Sequence, residues 1–185
     1  MSLIGPAAAS FALCLLAMFA LRPVAIAVDL IDRPGGRKQH VGEIPVVGGL
    51  GMLLGMVLGM GLLPLPVPVT GALLASCALL VTVGLIDDRF GLSPWARLLA
   101  QIAAALLLVF GAQTAVTTLG EPFGVTIWLE GISSYAFTVL CVVAAVNAFN
   151  MLDGMDGLAG ALAVVALGAI AIFAVQSGDV VALSI

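Results

Sequence analysis

Two carboxamides and two carboxylates crowd the segment Asn147-Ala-Phe-Asn150-Met-Leu-Asp153-Gly-Met-Asp156-Gly157, beside a run of membrane-length apolar residues. Polar groups at a membrane boundary are costly unless they bind something. Asn147 and Asn150 stand three apart and share a face if the chain there is helical. Asp153 and Asp156 repeat that spacing. One carboxylate could simply cap the following helix, where a negative charge also suits the helix dipole. Capping explains one carboxylate, not the second together with both Asn residues. Hard oxygen donors without a thiolate or histidine cluster favour Mg²⁺ or Mn²⁺ over zinc.

Two further polar patches carry complementary chemistry. Asp87-Asp88-Arg89-Phe90 follows directly on an apolar run. Adjacent carboxylates repel one another, and a cation would offset the cost. The plainer reading is a solvated helix end with Arg89 and Arg97 as local counter-charges. The segment from Asp32 to Gly49 contains Arg37, Lys38 and His40, and then Gly48-Gly49. Pro34-Gly35-Gly36 forbids a regular helix there, so the basic residues lie on a loop. They either anchor membrane orientation or bind phosphate, with Gly48-Gly49 letting backbone N–H groups approach an anion. His40 alone reads as a loop residue rather than a metal ligand. Carboxylates alone would repel a phosphate, whereas carboxylates with a divalent cation and a basic loop suit phosphoryl chemistry.

The elements that must hold these patches are membrane helices. Of 185 residues, 63% are hydrophobic and 9% charged, with a formal net charge of -4. An ordinary soluble domain has about 25% charged residues. A span needs about 20 apolar residues. The charge-free run from Ile44 to Ile86 is too long for one helix, and Pro64, Pro66 and Pro68 divide it. The expectation is an all-α membrane protein, a polytopic bundle of about six transmembrane helices forming one domain over residues 1–185. The spans fall at about 3–22, 45–63, 69–86, 96–113, 132–149 and 158–176. The N-terminus has no basic n-region, so the first run reads as a span rather than a cleaved signal peptide.

With that count, all 6 Lys and Arg residues fall on or beside one side of the membrane, together with the three polar patches. The positive-inside rule makes that side cytoplasmic. Trp95 and Trp128 sit near opposite interfaces, as an aromatic belt requires. The β-formers around Gly124 predict a short external hairpin. Gly51, Gly55 and Gly59 form a small-residue face for close helix contact, within the chain or in a homodimer. Cys14, Cys77 and Cys141 lie inside apolar runs and read as packing residues.

The sequence resembles the polyprenyl-phosphate N-acetylhexosamine-1-phosphate transferases. The resemblance rests on Arg37-Lys38-x-His40-x-Gly42-x-Ile44-Pro45-x-x-Gly48-Gly49, on Gly84-Leu-Ile-Asp87-Asp88-Arg89-Phe90, and on Asn147-Ala-Phe-Asn150-Met-x-Asp153-Gly-x-Asp156-Gly157-Leu158. It looks most like the branch that starts O-antigen, teichoic-acid or arabinogalactan linkers. The resemblance implies a bacterial inner-membrane enzyme that moves N-acetylglucosamine 1-phosphate, or a related hexosamine phosphate, from a UDP-sugar to polyprenyl phosphate, releasing UMP. It implies Mg²⁺, or Mn²⁺, held at Asn150 and Asp153. Asp87 and Asp88 would be catalytic, orienting or deprotonating the lipid phosphate. Arg37, Lys38, His40, Gly48, Gly49, Asn147 and Asp156 would contact substrate. Its partners would be the lipid phosphate, the UDP-sugar and membrane lipid, with no nucleic acid. The family's second motif often has a third Asp where this chain has Gly91. Family members usually have ten or eleven spans, so the chain resembles the N-terminal half of one. The alternatives are an inactive fragment or partner subunit, or a small ion-coupled transporter. A transporter would place its polar groups near the bilayer midplane rather than at one face.

Overall fold

The computed structural model describes residues 4–32, 44–152 and 157–177. Arg37, Lys38, His40, Asp153 and Asp156 lie outside the described residues. Among those described there are six helices: α1 (Ile4–Ala27), α2 (Gly48–Gly61), α3 (Val67–Phe90), α4 (Pro94–Gly111), α5 (Ile132–Leu152) and α6 (Leu158–Ser177). A minimal antiparallel pair, β1 (Ile31–Asp32) and β2 (Ile44–Pro45), joins the two ends of the first loop, with Ile31 opposite Pro45. All of these helices except α2 are long and apolar enough to cross a membrane. Phe19, Leu140, Val164 and Phe173 are among the many large apolar side chains left exposed on the helix surfaces. A bundle solvated by lipid has no need to bury them. The expected all-α polytopic bundle is therefore observed.

The second helix is shorter than its neighbours. Its 14 residues rise about 21 Å, against a hydrocarbon core of about 30 Å. The β2 strand and Val47 precede it, and the prolines that follow end it. Pro66 caps α3 and Pro68 occupies the first turn, where a missing N–H costs nothing.

Shape complementarity joins α1 to α2. A Cβ on Gly55 would stand 2.8 Å from the Ser10 carbonyl oxygen and 3.1 Å from Cys14 Cβ. One on Gly51 would meet Met18 Cγ at 2.6 Å. The glycine face is thus spent within the chain, against Ser10, Cys14 and Met18 of α1. Polar contacts help to join α3 to α4. The buried Ser76 hydroxyl lies 2.8 Å from the carbonyl oxygens of both Ala72 and Ala104, spanning the two helices.

At the far end of α4 the chain makes the expected hairpin-like turn. A single antiparallel bridge pairs Thr118 with Trp128, and the Leu119 N–H donates to Ile127 O at 2.9 Å. Ser134 Oγ donates to Val116 O at 2.7 Å, and Val116 N–H donates to Thr138 Oγ1 at 2.8 Å. Those two bonds fix the turn to the start of α5.

Candidate active site

A tight helix hairpin creates the first half of the site. Gly91 ends α3 with φ +67°, a left-handed conformation that glycine adopts without cost. Its N–H donates to Asp87 O at 2.8 Å. Asp is one of the few other residues enriched at positive φ, so an Asp at this position in relatives would be compatible with the same turn. Ser93 then caps α4, accepting from Ala96 N–H at 3.2 Å, with Pro94 in the first turn. Three residues thus reverse the chain and bring the end of α3 against the start of α4.

Asp87 is held from two directions. Its Oδ1 accepts the Leu92 N–H at 2.7 Å, and its Oδ2 lies 3.5 Å from Arg97 Nη1. The Asp87 side chain is 25% exposed and that of Arg97 is 42% exposed. Enough of the guanidinium stays open for it to receive a second anion. Arg97 Nε is buried and has no hydrogen-bond partner among the described residues. Arg97 is therefore partly the counter-charge that its spacing predicts, and it retains unused donor capacity.

The second half of the site comes from α5. The helix continues through Leu152, so Asn147 and Asn150 do share a face. A cleft of about 150 Å³ opens where the three helices meet, lined by Gly84, Asp87, Arg97, Gln101, Val146 and Asn150 among others. The lining residues on α3 recur at helical spacing, as do those on α4 and α5. Asp87 and Asn150, from two separate motifs, thus face one space. Asn147 reaches a different partner. Its Nδ2 donates to Gln101 Oε1 at 2.6 Å and to Val143 O at 2.8 Å, and Gln101 Nε2 donates back to Asn147 Oδ1 at 3.4 Å. A larger hollow of about 670 Å³ lies near Phe110, Gln113 and Trp128, at the opposite end of α4, and none of the motif residues lines it.

The remaining predicted residues divide clearly. Asp88 is exposed on α3 and does not line the cleft. Gly48 and Gly49 open α2, and a Cβ on Gly49 would rest 3.8 Å from Val81. Val81 lies six residues before Asp87, about 9 Å along the helix. These glycines flank the site from α2 without lining the cleft. Arg97 and Gln101 had not been assigned to a site from the sequence. The signal for Gln101 was present: an amide in the otherwise apolar stretch of α4, one turn after Arg97.

The donor set suits a hard cation. The cleft presents the Asp87 carboxylate and the Asn150 carboxamide, with the Gln101 amide engaged by Asn147 and the Arg97 guanidinium beside them, and no thiol lines it. Among the described residues no three His, Cys, Asp or Glu side chains gather into a cage. Oxygen donors of this kind are compatible with a hard divalent cation, and they do not form a closed structural metal site.

The sequence profile of glycosyl transferase family 4 matches residues 70–185. Several relatives are undecaprenyl-phosphate alpha-N-acetylglucosaminyl 1-phosphate transferases. That of Escherichia coli (strain K12) is 37% identical over 130 residues, covering 70% of this chain and 35% of the relative. That of Yersinia pestis is 38% identical over 161 residues, covering 87% and 44%. That of Pasteurella multocida is 34% identical over 120 residues, covering 63% and 34%. The chain thus spans less than half the length of the curated relatives it matches. No solved structure gives a significant match. Asp87, Arg97, Gln101 and Asn150 all fall within the stretch that the family profile covers, and the chain belongs to glycosyl transferase family 4.

Proposed function

We propose that the chain carries a cytoplasmic-face site for transferring N-acetylhexosamine 1-phosphate, most simply N-acetylglucosamine 1-phosphate, from a UDP-sugar to polyprenyl phosphate. The observation that carries this reading is the convergence of Asp87 and Asn150 on one cleft beside the Arg97 guanidinium. The names of the relatives supply the substrate class. Clustering of the basic residues beside the same helix ends supports a cytoplasmic orientation in a bacterial inner membrane.

In the proposed reaction an oxygen of the lipid phosphate attacks the β-phosphorus of the UDP-sugar. The bond from that phosphorus to the bridging oxygen breaks, UMP leaves, and a lipid-linked sugar diphosphate remains. A phosphate monoester has its second pKa near 6, so near neutral pH it needs little help from a base. Asp87 therefore orients rather than deprotonates. Its carboxylate is already fixed by the Leu92 N–H and Arg97, and Arg97 offsets repulsion between it and an incoming phosphate. Asn150, with Asp153 beyond the described residues, would hold Mg²⁺ or Mn²⁺, which supplies charge neutralisation to the diphosphate. Asp88, on α3, and Asp156, His40, Arg37 and Lys38, outside the described residues, complete the proposed site.

The test is transfer of labelled sugar phosphate from UDP-N-acetylglucosamine to polyprenyl phosphate by the 185-residue chain with Mg²⁺. Transfer that falls on the order of a hundredfold in Asp87→Asn supports the reading. A chain that folds and transfers nothing overturns it. The orientation has its own check. A cysteine replacing Gln39 should react only with reagent supplied from the cytoplasmic side, and labelling from outside would reverse the topology.

A further inference from the structure

We propose that Gln101 is a positioning residue for this site. Its paired amide contact with Asn147 fixes the rotation of α5 so that Asn150 faces Asp87 and Arg97. The metal-linked part of this inference rests on the reading above.

The argument starts from hydrogen-bond capacity. A carboxamide offers two N–H donors and one carbonyl acceptor. Asn147 uses both donors, one to Val143 O within its own helix and one to Gln101 Oε1 across the seam. Gln101 Nε2 returns a bond to Asn147 Oδ1. The bonds tie α5 to α4 in both directions, and both side chains are partly buried. If α5 turned about its axis, Gln101 would lose its partner and Asn147 would keep only the bond to Val143 O within its own helix. An unpartnered amide at an interhelical seam in lipid is costly.

The placement gives the pair its consequence. Gln101 lies one turn from Arg97 on α4, and Asn147 lies one turn from Asn150 on α5. The amide pair therefore forms a rung one turn deeper than the two groups that line the mouth of the cleft. Rotation of α5 by one residue position, about 100°, would remove Asn150 from the cleft. The bonds to Gln101 hold Asn147, and Asn147 sets the rotation that Asn150 inherits. This assigns Asn147 to positioning rather than to direct contact with substrate.

The test compares Gln101→Leu, Gln101→Asn and the swapped pair Gln101→Asn with Asn147→Gln in the full chain. The probe is Mn²⁺, with binding read from the electron paramagnetic resonance signal of the free ion. Transfer kinetics and thermal melting are measured alongside. Loss of a group that orients a metal ligand costs about tenfold to a hundredfold in metal affinity. Gln101→Leu and Gln101→Asn should weaken Mn²⁺ binding on that scale and raise the Mg²⁺ concentration needed for half-maximal transfer, with the KM for UDP-N-acetylglucosamine little changed. The swapped pair restores one long and one short amide and should recover most of the loss. If Gln101→Leu fails to fold, the comparison of Gln101→Asn with the swapped pair carries the test.

Folded variants that melt earlier yet bind Mn²⁺ like the unaltered chain would overturn the proposal, because the pair would then be interhelical glue alone. Losses that simply add in the swapped pair would also overturn it. An unaltered chain that binds Mn²⁺ in a Gln101-dependent way but transfers nothing would remove the transferase reading and leave the positioning role standing. An unaltered chain that binds no Mn²⁺ would remove both.

Discussion

The α1–α2 seam and the α4–α5 seam solve the same problem by different physics. In the first, three glycines let two backbones approach so closely that an added Cβ on Gly55 would stand 2.8 Å from a carbonyl oxygen. In the second, a Gln and an Asn exchange hydrogen bonds of 2.6 and 3.4 Å. Lipid gives no hydrophobic drive for helices to associate, so both seams rely on close packing or polar contact. Close packing penalises separation but tolerates some sliding along the small-residue face. Paired amides define one rotation and one height. The rotationally specific seam lies at the cleft, where the orientation of Asn150 matters. The steric seam is made by residues that do not line the cleft.

This contrast can be broken most severely at the glycine face. Gly55→Leu inserts a branched side chain where even a Cβ is crowded. Overpacking of a tight seam costs about 1–3 kcal/mol and sometimes more. The folded chain should be lost or strongly destabilised in detergent melting, with Gly55→Ala intermediate; an unchanged melt for Gly55→Leu would show that α1 and α2 do not pack as described. The next effect should spare the fold. Asp87→Asn should lower transfer on the order of a hundredfold, the scale of a mispositioned reacting group, while its melt stays close to that of the unaltered chain. Arg97→Leu should then cost about tenfold to a hundredfold in turnover, the scale of one hydrogen bond to a charged group. Arg97→Lys should recover part of that, and full recovery would show that the fork geometry of arginine is not used. The smallest effect is expected at Ser76→Ala, which removes the hydroxyl bridge from α3 to α4. Interhelical hydrogen bonds in membranes average about 0.6 kcal/mol, so the melt should fall slightly and transfer should not change.

Several elements are legible in the sequence. Proline and charge placement gave the helix divisions, and Pro66 and Pro68 do open α3. The small-residue spacing marked the α2 face that meets α1. The Thr118–Trp128 bridge occurs where glycine and β-formers predicted a turn. Apolar content did not reveal that α2 stops at 14 residues, because backbone conformation before Gly48 depends on the β1–β2 pairing rather than on hydropathy. Motif reading also grouped Asp87 with Asp88 as a catalytic pair, and placed both Asn147 and Asn150 in direct contact with a ligand. Adjacent residues on a helix point about 100° apart, so Asp87 lines the cleft and Asp88 does not. Asn150 likewise lines the cleft, whereas Asn147 is engaged by Gln101.

The sequence by itself determined that the chain is a bundle of membrane helices and that its polar residues gather in a few short segments between apolar runs. Composition and periodicity carry this, because lipid enforces apolar runs of fixed length and charge bias sets their direction. Only the tertiary structure decided which polar residues meet. Gln101 engages Asn147, and Asn150 shares a cleft with Asp87, through contacts set by helix rotation and by the three-residue turn at Gly91. Helix rotation depends on how two complete surfaces interlock, and that relation between distant segments is not written in either segment alone.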